Sequence, residues 1–236
     1  MKRVAVLVFD DGFKSHLEAA SILRSRDVKG VFAIPTGWIG KQGHLTWDEV
    51  AELYEQGHEV CSHSHTHRNL TELEGSDLDY ELGCSKRLLE DALGEDIDCF
   101  IYPYGLYNTR VIPYTAKYYS YARSVNTFNN VVYHPFTSDI SPYTFGAIEF
   151  ESIESLKELG IDFSKKTPIT ILKILKGTPV IFFTHKSSAK MLTLLIKTLA
   201  ILGYSFSTLR ELYEYYFKNS NSIEQYRIRE HMMEQH

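Results

Sequence analysis

The chain has 236 residues, 44% of them hydrophobic and 23% charged, with a formal net charge of −5. That length and composition fit one compact domain with a sizeable core. The acidic balance provides no basic footprint for nucleic acid, and no apolar stretch approaches the about 20 residues of a membrane helix.

In chain order, short apolar runs alternate with amphipathic segments. A β-rich run spans Val4–Phe9, and Ser15–Arg26 has helical spacing through Leu17, Ala20, Ile22 and Leu23. A strand at Gly30–Ile34 precedes a helix at Thr46–Gln56, which opens on the capping-box pair Thr46 and Glu49. A strand at His58–Ser62, a long helix at Ser76–Leu93 and a strand at Cys99–Tyr102 follow. Next come a helix at Asn108–Tyr118, a strand at Ser120–Ser124 and an Asn-, Pro- and Ser-containing loop from Asn126 to Pro142. Phe145–Phe150, Pro179–Thr184 and Tyr204–Ser207 are further strands. This alternation predicts an α/β fold with seven or eight strands in a parallel sheet or barrel. It forms a domain over 1–218, with a charged helix or tail at 219–236. Cys61, Cys84 and Cys99 are odd in number and irregular in spacing, so no disulfide framework is expected, and Cys61 is expected to pack inward from its strand. No signal-peptide pattern is present, which makes a cytoplasmic location the expectation. Nothing in the sequence sets the oligomeric state.

Function in such folds gathers where strands end, and the unusual residues lie there. Asp10 and Asp11 end the first strand, and "SHSHTH" (Ser62–His67) follows the third. "YPYG" (Tyr102–Gly105) follows the fourth, and "THK" (Thr184–Lys186) ends "PVIFFT". Three histidines in five residues, His63, His65 and His67, point to a metal, with His63 and His67 spaced to face the same way. One of the two aspartates completes a two-His, one-Asp set, and the other is left as a general base. Taken alone, Asp-Asp-Gly is a turn with a helix cap. The Tyr102–Gly105 turn reads equally as structure or as a donor of a backbone N–H to an oxyanion. His185 is placed to act as an acid. Tyr104 and Tyr107 are the candidates to touch substrate, although packing in core and rim is the plainer role of Tyr107, as of Tyr118, Tyr119 and Tyr121. Trp38 and Trp47 read as packing residues.

"FDDG" (Phe9–Gly12), "HSHTH" (His63–His67), "YPYG" and the late "TH" occur in the order seen in polysaccharide deacetylases, the carbohydrate esterase family 4 or NodB-homology family. The resemblance runs from about Val4 to Leu212. It implies a distorted (β/α) barrel with about seven parallel strands and metal-dependent removal of N-acyl groups, mostly acetyl from amino sugars. It further implies that Asp10 is the general base, that Asp11, His63 and His67 are the metal ligands, and that Ser64 braces the loop. In the same scheme the Tyr104 N–H holds the oxyanion and His185 is the general acid. Two departures stand out. Ile101 occupies the place of an arginine that holds the catalytic aspartate, and Arg123 in "YARSV" is the expected substitute. The family's Asp-Trp pair is absent, leaving Asp139 and Asp162 as positional candidates for the partner of His185.

The implied cofactor is a divalent metal, zinc first from the imidazole-rich set, with Co²⁺, Ni²⁺ or Mn²⁺ also accepted. The expected substrate is an N-acylated sugar or glycoconjugate, with no nucleic-acid partner and no stable membrane insertion. Two alternatives stand beside it: a hydrolase of a non-sugar amide or ureide, and a catalytically weakened carbohydrate-binding protein.

Overall fold

A computed structural model describes residues 3–125, 141–150, 179–186 and 188–218. The strands are β1 (Val4–Phe9), β2 (Val31–Ile34), β3 (Glu59–Ser62), β4 (Cys99–Ile101), β5 (Tyr121–Arg123), β6 (Ile148–Glu149), β7 (Val180–Thr184) and β8 (Ser205–Ser207). All pair in parallel, in the order β5-β4-β3-β2-β1-β7-β6, with β8 against the first half of β1. The segment after residue 140 links the two ends of this order. Phe145 bridges to Arg123 of β5, and Ile148 and Glu149 pair with β7. The result is a distorted (β/α) barrel. Among the described residues no helix is long and apolar enough to cross a membrane.

The helices are α1 (His16–Arg24), α2 (Trp47–Glu55), α3 (Ser76–Leu93), α4 (Val111–Tyr118), α5 (Ala189–Ile201) and α6 (Leu209–Tyr213). Thr46 and Glu49 form the expected capping box at the start of α2: Glu49 accepts from the Thr46 N–H at 2.9 Å, and Thr46 Oγ1 accepts from the Glu49 N–H at 3.3 Å. The α4 helix begins three residues later than its pattern suggested, because the Asn108 side chain caps Val111 and leaves Asn108–Arg110 as a turn.

Two apolar layers follow from strand alternation. Along β1, Ala5, Leu7 and Phe9 face the helices, whereas Val6 and Val8 join the barrel interior with Ala33, Ile101, Ile181 and Phe183. This period places the polar residues as well. Continuing each interior series by two residues brings Val6–Val8 to Asp10, Cys61 to His63, Tyr121 to Arg123 and Phe183 to His185. Four chemistry-bearing side chains therefore converge over one end of a packed barrel.

The interior also corrects the reading of the cysteines. The aligned positions of β3 and β4 put Cys61 and Cys99 side by side, with Cα atoms 4.8 Å apart, and the two are joined by a disulfide. Sequence spacing hid this because the pair is made by strand register across 38 residues. Cys61 does face inward, as expected, and is fully buried. Cys84 is the free thiol.

Candidate active site

Asp10 is buried at the end of β1, and its N–H donates to the Thr184 carbonyl of β7 at 3.0 Å. Arg123, 1% exposed, donates a guanidinium N–H to both carboxylate oxygens of Asp10. The Arg123 guanidinium also lies 4.7 Å over the Phe183 ring. A buried carboxylate beside a buried guanidinium, each meeting the other across the barrel interior, answers the desolvation that either would face alone.

Asp11 breaks the strand alternation. Its φ of 76° turns the chain into the left-handed region, so the second carboxylate also reaches the site. Asp11 Oδ1 lies 3.4 Å from His63 Nε2 and 3.3 Å from His67 Nε2, and the two imidazole nitrogens are 3.1 Å apart. A tetrahedral ion with bonds of about 2.0–2.1 Å spaces its ligand atoms by about 3.3 Å. The three atoms thus already stand at the edges of such a polyhedron. Asp11 Oδ1 is buried and makes no hydrogen bond, an orphan acceptor that a cation would satisfy. His63 Nδ1 lies 2.7 Å from the Ile101 carbonyl, which can only accept, so Nδ1 carries the proton and Nε2 keeps its lone pair toward the set. The residues fit a divalent ion of the zinc type.

His63 and His67 do not reach this geometry on a helical turn. Their loop is irregular, with Ser64 at φ 62° and His67 at φ 60°, and Ser64 Oγ accepts the His67 N–H at 3.0 Å. Tyr104 has φ 59° in the short turn Pro103–Gly105. Five described non-glycine residues have positive φ, and all but Asp27 belong to this site. Each costs about 1–2 kcal/mol, strain that gathers where function constrains the backbone. Gly105 shows how tight the turn is: a Cβ there would sit 1.6 Å from Val125 Cγ2.

The remaining candidates are spread around this centre. Tyr104 is 61% exposed, and its ring lies 4.7 Å from that of His67. Tyr107 is partly exposed and packs on Tyr102 rather than on the metal set. His65 turns away, its Nδ1 2.9 Å from Thr36 Oγ1. His185 follows β7, with its ring partly exposed and Nδ1 3.6 Å from Glu149 Oε1. Asp139 and Asp162 lie outside the described residues.

Three neighbours were missed from sequence. The Trp38 ring, taken for packing, lies 4.8 Å from His67. Glu149 is the described acidic group beside His185, and the signal was its place at the end of a predicted strand. His16 donates its Nε2–H to the His185 carbonyl at 2.9 Å, and burial lowers its pKa and favours the neutral ring.

The family model for polysaccharide deacetylases matches residues 1–122, just over half of the chain. The chain belongs to the polysaccharide deacetylase family. YxkH of Bacillus subtilis (strain 168), provisionally named a polysaccharide deacetylase, is 25% identical over 117 residues, 49% of this chain and 42% of YxkH. The Streptococcus pyogenes deacetylase PplD, solved in complex with acetate, is 26% identical with a TM-score of 0.50, the match covering 51% of this chain and 55% of PplD. The matches therefore span about half the length of these relatives. Two more distant structures share the fold. The Xyl-CE4 domain of a xylanase from the Trinervitermes trinervoides hindgut metagenome has a TM-score of 0.58 at 18% identity, covering 91% of each chain. BA3943 of Bacillus anthracis, a CE4 family pseudoenzyme, has 0.62 at 18% identity, covering 89% of this chain and 65% of that one. Within this polysaccharide deacetylase family member, the guanidinium beside Asp10 comes from Arg123 of β5, which pairs with Ile101 of β4.

Proposed function

We propose that the protein is a metal-dependent hydrolase that removes N-acyl groups, acetyl first, from an amino sugar or glycoconjugate. The observation that carries this reading is the spacing of Asp11 Oδ1, His63 Nε2 and His67 Nε2 at 3.1–3.4 Å, beside a second carboxylate kept out of the set by Arg123. A divalent cation on Asp11, His63 and His67 supplies Lewis acidity for water attack on an amide at neutral pH. Asp10 takes the proton of the attacking water, and Arg123 fixes the direction in which its carboxylate points. The Tyr104 N–H donates to the oxygen of the acyl group as negative charge builds on it. His185 gives its proton to the departing nitrogen, with Glu149 close to its far ring nitrogen. Trp38 and the exposed Tyr104 ring flank His67 and offer faces for a sugar ring.

The sequence reading expects a cytoplasmic protein. The Cys61–Cys99 bond favours an oxidising compartment instead, and we propose that location.

Two measurements test the assignment. Metal-stripped protein titrated with zinc is expected to bind one equivalent, and the loaded protein to release acetate from N-acetylglucosamine oligomers. A stoichiometry of zero overturns the metal set. One equivalent of zinc with no acetate release from sugars, but turnover of simple amides or ureides, moves the substrate to the non-sugar class.

A further inference from the structure

The histidine loop is held by a carboxylate that belongs to none of the reacting groups. Glu81 lies in the second turn of α3, is 2% exposed, and pairs with no cation among the described residues. Its Oε2 accepts the N–H of Thr66 at 2.8 Å and, shared with the Glu81 backbone carbonyl, the N–H of His65 at 3.0 Å, and its Oε1 accepts the Thr66 hydroxyl. These donors are the two residues midway between the ligands His63 and His67. From the other side the loop meets the chain that follows β2. The Ser64 carbonyl accepts from Thr36 N–H at 3.2 Å and the His65 carbonyl from Gly37 N–H at 2.7 Å. Gly37 is required for that approach, since a Cβ would stand 2.7 Å from the His65 oxygen.

We propose that Glu81 is a positioning residue for the metal ligands: an anionic anchor that keeps the 63–67 loop in the left-handed conformation from which both Nε2 atoms meet Asp11. This rests on the metal set proposed above. A buried carboxylate is acceptor-only when ionised, and two convergent backbone N–H groups and a hydroxyl match its lone pairs. A buried anion with several hydrogen bonds and no nearby cation is retained at a desolvation cost that plain packing would not require. Ser64 and His67, the two left-handed residues, flank the anchored pair. Without the anchor the loop is free to relax toward ordinary φ, and the ligand atoms separate before any cation arrives. Outer-shell groups that orient ligands typically change metal affinity 10–100-fold when removed.

The experiment compares zinc affinity with folding stability in the full chain. Dissociation constants come from competition with a chromogenic chelator, and stability of the metal-free protein from urea midpoints. Glu81→Gln keeps the volume but turns an amide NH₂ toward donors, and Glu81→Ala removes the anchor. Each is expected to weaken zinc binding 10–100-fold. Thr66→Val removes the single hydroxyl contact and is expected to weaken it less. Leu89→Ala, in the core face of the same helix and distant in sequence from the loop, is expected to lower the urea midpoint while leaving zinc affinity within twofold. If Glu81→Gln and Glu81→Ala bind zinc within twofold of wild type, or Leu89→Ala weakens zinc as much as they do, Glu81 is only a structural group and the proposal is overturned. Absence of zinc binding by the wild type overturns the metal set itself and this inference with it.

Discussion

The two ends of the barrel interior are built from the same strands and each holds a carboxylate, yet they handle it differently. At one end Asp10 meets Arg123, and beside it stand Asp11, His63 and His67 with ligand atoms mutually exposed. At the other end Glu59 is spent on structure: the Tyr121 hydroxyl donates to it at 2.7 Å, and the Leu209 and Arg210 N–H groups at the start of α6 donate at 2.7 and 3.2 Å. Between the two lies the Cys61–Cys99 bond. Glu59 satisfies its oxygens and closes the fold. The other end leaves Asp11 Oδ1 without a hydrogen bond and strains four residues into positive φ. An unfinished donor set under strain, set against a finished one without it, is the physical mark of a site.

The largest expected effect is at the unfinished end. Asp11→Asn removes the anionic ligand and is expected to lower zinc affinity more than 100-fold, beyond the about 10–100-fold of an outer-shell change. Asp10→Asn is expected to leave zinc stoichiometry at one while turnover falls by about 10²–10⁴, the range for a lost general base. Titration and single-turnover rates on the same preparations check both. If the two variants lose zinc equally, the division of labour between adjacent aspartates is wrong.

The next effect concerns the link across the barrel. Arg123→Ala strands the Asp10 carboxylate without its partner and is expected to cost about 3–5 kcal/mol in urea unfolding, as broken buried pairs do. The double variant Asp10→Asn with Arg123→Ala should recover part of that loss. A loss in Arg123→Ala below about 1 kcal/mol, a surface-pair value, would mean that the pair is solvated.

Much of this was legible in the sequence. Period-two alternation carried Asp10, His63, Arg123 and His185 to one rim, because each continues an interior series by two residues. The capping box fixed the start of α2, and the α3 boundaries Ser76–Leu93 followed from pattern alone. Register was not legible. Cys61 and Cys99 meet only because β3 and β4 align Ser62 with Phe100, and Arg123 reaches Asp10 only because β5 stands at the strip's far end and the barrel curls. Trp38 and Glu81 carry no local motif. Their roles arise from the path of the histidine loop, whose left-handed turn at Ser64 no propensity of serine would have signalled.

A smaller effect separates the staple from the site. Cys61→Ser with Cys99→Ser opens a 38-residue loop and is expected to cost about 2–4 kcal/mol of stability. Thiol counting in denaturant should find one reactive group in untreated protein, Cys84, and three after reduction. Three without reduction would remove the disulfide and, with it, the argument for an oxidising compartment.

The smallest effect is a pH dependence at the finished end. His58 Nδ1 accepts the Gly30 N–H at 3.0 Å, so the ring is neutral with its proton on the buried Nε2. Burial lowers its pKa from 6.5 to about 4. Between those values the unfolded chain takes up a proton that the folded chain refuses, so stability falls as pH drops from 6.5 toward 4. Glu59, the next residue, works the other way. Burial raises its pKa above 4.5, so its contribution is full below that value and is lost as pH rises through the folded pKa. The sum of the two need not slope at all, and wild type alone does not separate them. The difference in urea stability between wild type and His58→Gln cancels Glu59 and isolates the histidine. That difference is expected to decline from pH 7 to pH 4 and to be level above 7. A level difference throughout would show that His58 is protonated in the fold as easily as in the open chain, and that the closed end of the barrel admits water.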